Sequence, residues 1–280
     1  MIEIVWQYDP EAGFVVREPA TAEEAEFDLL QGNQMFADLG RRPGDERHVI
    51  PVSAEELGFG DEPGHAPKQT PFAAMLGCAD ARVPLEMVFS QSANGLFVVR
   101  VAGNVLDSAC IGSLDYAVSH LSTVRLVAVV GHTGCGAVRA AVDAYLQPAA
   151  YVGLATNLQL RGIIDTLMAA VRGADNALRD RYGHDRAEQP GYYEALVGTA
   201  VVLNAALSAH AVRRMFDAQL GDELAVAFGV YDLASHLVGL PSPTSAWRPG
   251  LFPAPKEGAA EQFITEVVDS HYIQELLAGE

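Results

Sequence analysis

Val124-Arg125-Leu126-Val127-Ala128-Val129-Val130-Gly131-His132-Thr133-Gly134-Cys135-Gly136 is the stretch that decides the fold. Its first seven residues are a short, β-branched, almost continuous apolar run. Such a run reads as a strand buried on both faces, which is the signature of a parallel sheet under helices. The run stops at Gly131-His132, and a Gly-rich turn leads into a helix starting just after Gly136. The same arrangement recurs along the chain. Phe72 to Leu76 ends in Gly77-Cys78, Leu96 to Val99 ends in Arg100-Val101-Ala102-Gly103-Asn104, and Leu224 to Val230 is a fourth apolar run.

Helical patterns fill the intervals. Thr21 and Glu24 form a capping box before the periodic residues Phe27, Leu29, Leu30, Met35 and Phe36. Asp107 or Ser108 caps a helix carrying Leu114, Val118 and Leu121, and longer patterns cover about 154–171, 193–220 and 258–277. Strands alternating with helices predict an α/β fold, with a mainly parallel β-sheet core flanked by helices and an N-terminal helical arm over about 1–45. The chain reads as one domain over 1–280. Residues 1–20 are expected to be irregular or strand-like, 40–70 a connecting loop, and 173–191 a surface insertion, on their Gly, Pro and charge.

In open α/β sheets, sites lie at the carboxyl ends of the strands. Two clusters fall there, 54 residues apart: Cys78-Ala79-Asp80-Ala81-Arg82 and His132-Thr133-Gly134-Cys135-Gly136. Together they offer two thiolates and one imidazole, three corners of a zinc tetrahedron with the fourth open to water. Two thiolates cancel the charge of the ion, so bound water is acidified less than it would be by three imidazoles. Asp80 can help by accepting a hydrogen bond from hydroxide and aiming it. Arg82 would hold Asp80 ionised and turned away from the metal.

Composition narrows the partners. A net charge of −18 disfavours nucleic acid and anionic membranes. The most apolar stretch, Tyr193 to Val212, is broken by Glu194, Asn204 and His210 and reads as a buried helix rather than a membrane span. Three cysteines, an odd number, argue against a disulfide framework and for a reducing compartment such as the cytoplasm. No secretory leader is apparent at Met1-Ile2-Glu3-Ile4-Val5. Cys110 reads as plain core.

At these residues the chain resembles the β-class carbonic anhydrases, which carry Cys-x-Asp-Ser-Arg and, some fifty residues on, His-x-x-Cys-Gly. The resemblance extends to Leu30-Gln31-Gly32-Asn33-Gln34-Met35-Phe36, to Phe97 through Asn104, to Val129 through Ala137 and to Gly229-Val230-Tyr231-Asp232. It implies a zinc enzyme for the reversible hydration of CO₂ to bicarbonate and a proton. Zinc would sit on Cys78, His132 and Cys135, and the Asp80–Arg82 pair would orient the zinc-bound hydroxide. It further implies substrate contacts from Gln69, Phe97, Tyr116 and Gly136, around an apolar pocket at a dimer interface, and so a homodimer or higher even homo-oligomer. Ala81, Met35 and Val101 depart from the family's usual Ser, Arg and Asn. His236 stands where glycine is usual, as a structural histidine or a proton shuttle. The same zinc site would also suit another heterocumulene, CS₂ or COS, or a non-catalytic bicarbonate-binding role.

Overall fold

A computed structural model describes residues 2–8, 18–41, 46–54, 56–57, 64, 66–153, 156–245, 247–254, 256 and 258–279. The strands are β1 (Ile2–Tyr8), β2 (Glu46–Val52), β3 (Ala73–Cys78), β4 (Leu96–Val101), β5 (Leu126–His132), β6 (Ala225–Tyr231), β7 (Val238–Leu240), β8 (Arg248–Pro249) and β9 (Phe252–Pro253). The helices are α1 (Ala22–Leu39), α2 (Leu85–Val88), α3 (Ser108–His120), α4 (Gly136–Leu146), α5 (Pro148–Gly153), α6 (Leu158–Tyr182), α7 (Tyr192–Met215), α8 (Ala260–Val268) and α9 (His271–Ala278).

The main sheet runs β4-β3-β5-β6-β7-β8, with β9 also on β6. Strands β4, β3, β5 and β6 are mutually parallel, and β7, β8 and β9 join in antiparallel sense. Every residue of β3 and β5 is buried, as expected for strands covered on both faces. On one face Ala74, Leu76, Val127 and Val129 pack under α3, α4, α6 and α7. On the other, Met75, Leu126, Ala128 and Val130 pack with Leu29 of α1 and with Leu85 and Phe89. Strand β4 forms one edge and is only half-buried.

The N-terminal strand β1 pairs in parallel with β2 across α1. The expected connecting loop over 40–70 therefore contains a strand; Pro51 and the charges around it mask the pattern, and Pro is tolerated at such an edge. The capping box is present: Thr21 Oγ1 accepts from the Glu24 N–H at 3.2 Å, and Glu24 Oε2 accepts from the Ala20 N–H at 2.8 Å. Asn33 then ties α1 to the body. Its side-chain amide donates to the carbonyls of Val88 and His236, and its oxygen accepts from the Val238 N–H at 2.8 Å.

Two expectations need correction. Residues 173–182 are not a surface insertion but the last turns of α6. Ala174, Asp175 and Leu178 are buried, while Asp180 and Arg181 lie on the solvent face of that helix. Buried Asp175 is satisfied by Tyr145, Tyr192 and Arg179. Over 258–277 the pattern is two helices, because Ser270 caps α9 and donates its hydroxyl to Val267 O. Helix α7 is long and apolar enough to cross a membrane by length and composition, yet 83% of its most apolar window is buried inside the protein.

Candidate metal centre

The carboxyl ends of β3, β4 and β5 meet at one rim. Register pairs Cys78 with Val101 and Gly77 with Val130, so Cys78 lies level with Gly131, one residue before His132. Cys135 follows through a tight turn in which Gly134 takes φ +66°, a conformation that only glycine adopts without strain. The ligand atoms of Cys78, His132 and Cys135 all lie within 4.8 Å of one another, and all three residues are buried. Donors this close can share one ion at bond lengths of about 2.0–2.3 Å.

The imidazole is prepared for that task. His132 Nδ1 lies 3.0 Å from the Thr133 carbonyl, which fixes the proton on Nδ1 and leaves the Nε2 lone pair free. His132 Nε2 is buried and has no hydrogen-bond partner. A buried nitrogen with no partner, facing two sulfurs, fits a soft dication. The turn is braced from the next strand: Thr133 Oγ1 donates to Asp232 Oδ1 at 3.1 Å and accepts from the Leu233 N–H at 2.9 Å.

The sulfurs carry complementary shifts. The Cys135 thiol donates to Cys78 and pulls its pKa well below the usual thiol value against the cost of burial, helped by His132 and the Asp80 N–H. Cys135 is pushed up by the same hydrogen bond, by burial and by the charge on Cys78. The hydrogen bond favours a thiolate on Cys78 over one on Cys135, and a dication among the sulfurs would stabilise both charges. The N–H groups of Ala137 and Val138, in the first turn of α4, already favour that charge on Cys135.

Asp80 stands over this group. Its Oδ2 lies 3.9 Å from His132 Nε2. Arg82 grips it from the other side: Asp80 Oδ1 accepts from Arg82 Nε at 3.0 Å and from the Arg82 backbone N–H at 2.9 Å, and Oδ2 accepts from Nη2 at 2.8 Å. The guanidinium holds the Asp80 carboxyl well below the usual carboxylate range. Arg100, to which the sequence reading gave no role, donates to the carbonyls of Cys78 and Asp80 at 2.9 and 2.5 Å and so shapes the loop. Its sequence signals were its place at the end of an apolar strand and within the family-like stretch from Phe97 to Asn104.

The remaining expected residues fall elsewhere in the chain. Gly136 opens α4 beside Cys135, with open space where a side chain would stand. Phe97 pairs with Ala74, four register steps back along the sheet from Cys78, or about 13 Å at the rise of a strand. Tyr116 on α3 is 45% exposed and lies 6.3 Å from Phe97, ring to ring. Gln69 is exposed and precedes β3, beyond its amino end. One chain therefore gathers Cys78, Asp80, Arg82, His132, Cys135 and Gly136 at one end of the sheet, and leaves Gln69 and Phe97 towards the other. A cavity of about 730 Å³ lined by His48, Glu56, Phe72 and Arg125 also lies at the amino end, away from the ligand group. His236 takes φ +62°, accepts or donates between Nδ1 and the Tyr231 hydroxyl at 3.1 Å, and meets Phe36 of α1 edge-on.

The sequence profile of the family described as "Carbonic anhydrase" matches residues 73–238, more than half of the chain. "Carbonic anhydrase 2" of Mycobacterium tuberculosis is 52% identical over 116 residues, covering 41% of this chain and 50% of that protein. The "Carbonic anhydrase" of Mycolicibacterium smegmatis is 49% identical over 76 residues, covering 27% and 36%. The chain thus spans half or less of the length of these curated relatives. Among solved structures, the Coccomyxa β-carbonic anhydrase in complex with acetazolamide is 26% identical at a TM-score of 0.45, covering 61% of this chain and 72% of that one. The family match contains both strand-end clusters, so the chain belongs to the β-class carbonic anhydrases.

Proposed function

We propose that this protein catalyses the reversible hydration of CO₂ to bicarbonate and a proton, with Zn²⁺ held by Cys78, His132 and Cys135. The observation that carries the reading is the partnerless, buried His132 Nε2 between two sulfurs and the Asp80 carboxylate. When bound, zinc would supply a Lewis acid that makes hydroxide available near neutral pH. The chain's own residues do the rest. Asp80, kept ionised by Arg82, accepts a hydrogen bond from the attacking oxygen and turns its lone pair towards the carbon. Arg82 fixes the carboxylate in place, with Oδ2 3.9 Å from His132 Nε2. Gly136 leaves room for the substrate beside Cys135.

The residues expected to contact substrate, Gln69, Phe97 and Tyr116, lie away from the ligand group of their own chain. We propose that a second copy supplies the apolar wall for CO₂, bringing its Gln69, Phe97 and Tyr116 to this site. The half-buried edge strand β4 and the exposed Tyr116 are the surfaces such a copy would cover. Stopped-flow CO₂ hydration on purified protein, with zinc quantified in the same sample, tests the reading. Rapid hydration at about one zinc per chain is expected. No hydration at full zinc occupancy would overturn it, and CS₂ or COS turnover in that sample would reassign the substrate.

A further inference from the structure

Asn204 breaks the most apolar stretch of the chain, and the proposed chemistry gives it no part. It sits in the middle of α7, 5% exposed, among fully buried neighbours. A buried amide there costs stability unless it is bonded. Its Nδ2 donates to the Gly103 carbonyl at 2.8 Å, across 101 residues of sequence. The N–H of that same Gly103 donates to Cys78 Sγ at 3.3 Å. One residue thus links helix α7 to a sulfur of the ligand group.

Gly103 needs such a clamp. It adopts φ +69° and ψ 14° in the turn after β4. A glycine in this region has other wells nearby, and a change of well would swing its N–H off the sulfur. No side chain restrains it. A Cβ at this position would stand 3.1 Å from both Ala137 Cβ on α4 and Leu167 Cδ1 on α6. The residue is confined on two sides by packing and, through the carbonyl of its following peptide unit, by the Asn204 hydrogen bond. The same helix also presses on the strand that ends in His132, where Ala205 Cβ comes within 3.4 Å of the position a Gly131 Cβ would occupy.

We infer that Asn204 is a positioning residue for Cys78: by holding the Gly103 carbonyl it keeps the Gly103 N–H aimed at the ligand sulfur. The inference rests on the zinc reading above. A sulfur that accepts an N–H bond gives less charge to its ion, which leaves the ion a stronger Lewis acid in a site already burdened by two thiolates. The hydrogen bond also fixes the sulfur's direction, which favours metal binding through preorganisation.

The test compares Asn204→Leu and Asn204→Ser with Leu203→Ala, a cavity-forming change at a buried neighbour on the same helix. Zinc Kd is measured by competition with a chromophoric chelator, and the thiolate-to-metal charge-transfer band is recorded on the cobalt-substituted protein. Both Asn204 variants are expected to bind zinc about 10- to 100-fold more weakly and to shift the band. Leu203→Ala should lower thermal stability while leaving Kd and band unchanged. Unaltered Kd and band in the Asn204 variants would overturn the inference, as would equal weakening in Leu203→Ala. A parent protein that binds no zinc would overturn the zinc reading, and this inference with it. A further measurement needs no variant. In the ¹¹³Cd-loaded parent, the Gly103 amide proton should show scalar coupling to the metal through the sulfur. Its absence would also overturn the inference.

Discussion

The two ends of the parallel sheet hold different halves of the expected site. At the carboxyl end, Cys78, His132 and Cys135 come within 4.8 Å of one another under an Asp80 already gripped by Arg82. At the amino side, Phe97 and Gln69 lie well away from them. The carboxyl-end residues belong to two short motifs at the ends of adjacent strands, so sheet register alone assembles them. The other residues share no such neighbourhood with the ligand group of one chain, and in the proposed function a second copy brings equivalents to it. The contrast separates what the proposal asks of one chain, holding the ion and orienting the attacking oxygen, from what it asks of an assembly.

Breaking the carboxyl end gives the largest effect. His132→Ala removes the one nitrogen ligand, and zinc content should fall to background. CO₂ hydration should drop by at least about three orders of magnitude, since the Lewis acid leaves with the ion. Metal analysis and stopped-flow on the same preparation check this. A variant that keeps both zinc and rate would show that the ion, if any, sits elsewhere.

Next in size are Asp80→Asn and Arg82→Ala, which touch orientation but remove no ligand. Each should retain about one zinc per chain while hydration falls by about 10²- to 10³-fold, the usual range for a lost proton-handling or orienting group. Full activity in either variant would remove the pair from the mechanism and leave the carboxyl end with metal binding alone.

A mixed assembly tests the division directly. One chain carries Phe97→Leu with Tyr116→Ala, the other His132→Ala, and each is weak or inactive by itself. If every site draws its ligands from one copy and its wall from the other, half of the sites in each mixed dimer are intact. Random pairing on co-expression then restores about a quarter of the parent activity. Activity no higher than that of the wall variant alone would place the whole site within one chain, against the geometry at the amino end.

How much of this was legible beforehand follows the same division. The four parallel strands and the capped starts of α1 and α3 could be read locally, because β-branched runs and Thr21, Glu24 and Asp107 act over a few residues. The Cys78–His132–Cys135 group and the Asp80–Arg82 contact were legible for the same reason. The end of α6 was not: Arg172, Arg179, Asp180 and Arg181 look like loop polarity until Asp175 is seen bonded to two tyrosines and an arginine. Strand β2 was hidden because its partner β1 lies nearly forty residues upstream, beyond α1. The Asn204–Gly103–Cys78 chain joins residues more than a hundred positions apart, and no local pattern announces such a contact.

The smallest effect sharpens the account of Asp80 itself. Its pKa is lowered in the folded chain, chiefly by the Arg82 hydrogen bond. A carboxylate with a lowered folded pKa stabilises the fold above its unfolded value of about 3.9, and that contribution is lost as pH falls through the folded value. Arg82 is 59% exposed, so solvent screening keeps the pair's contribution to stability small. On chelator-treated protein, the parent should therefore melt slightly above Asp80→Asn at pH 7. The gap should narrow towards pH 3, and also at pH 7 in high salt. A gap that widens in acid would mean Asp80 is stabilised by something other than its arginine. A small stability effect beside a large loss of rate is what an ion pair serving orientation, rather than the fold, should show.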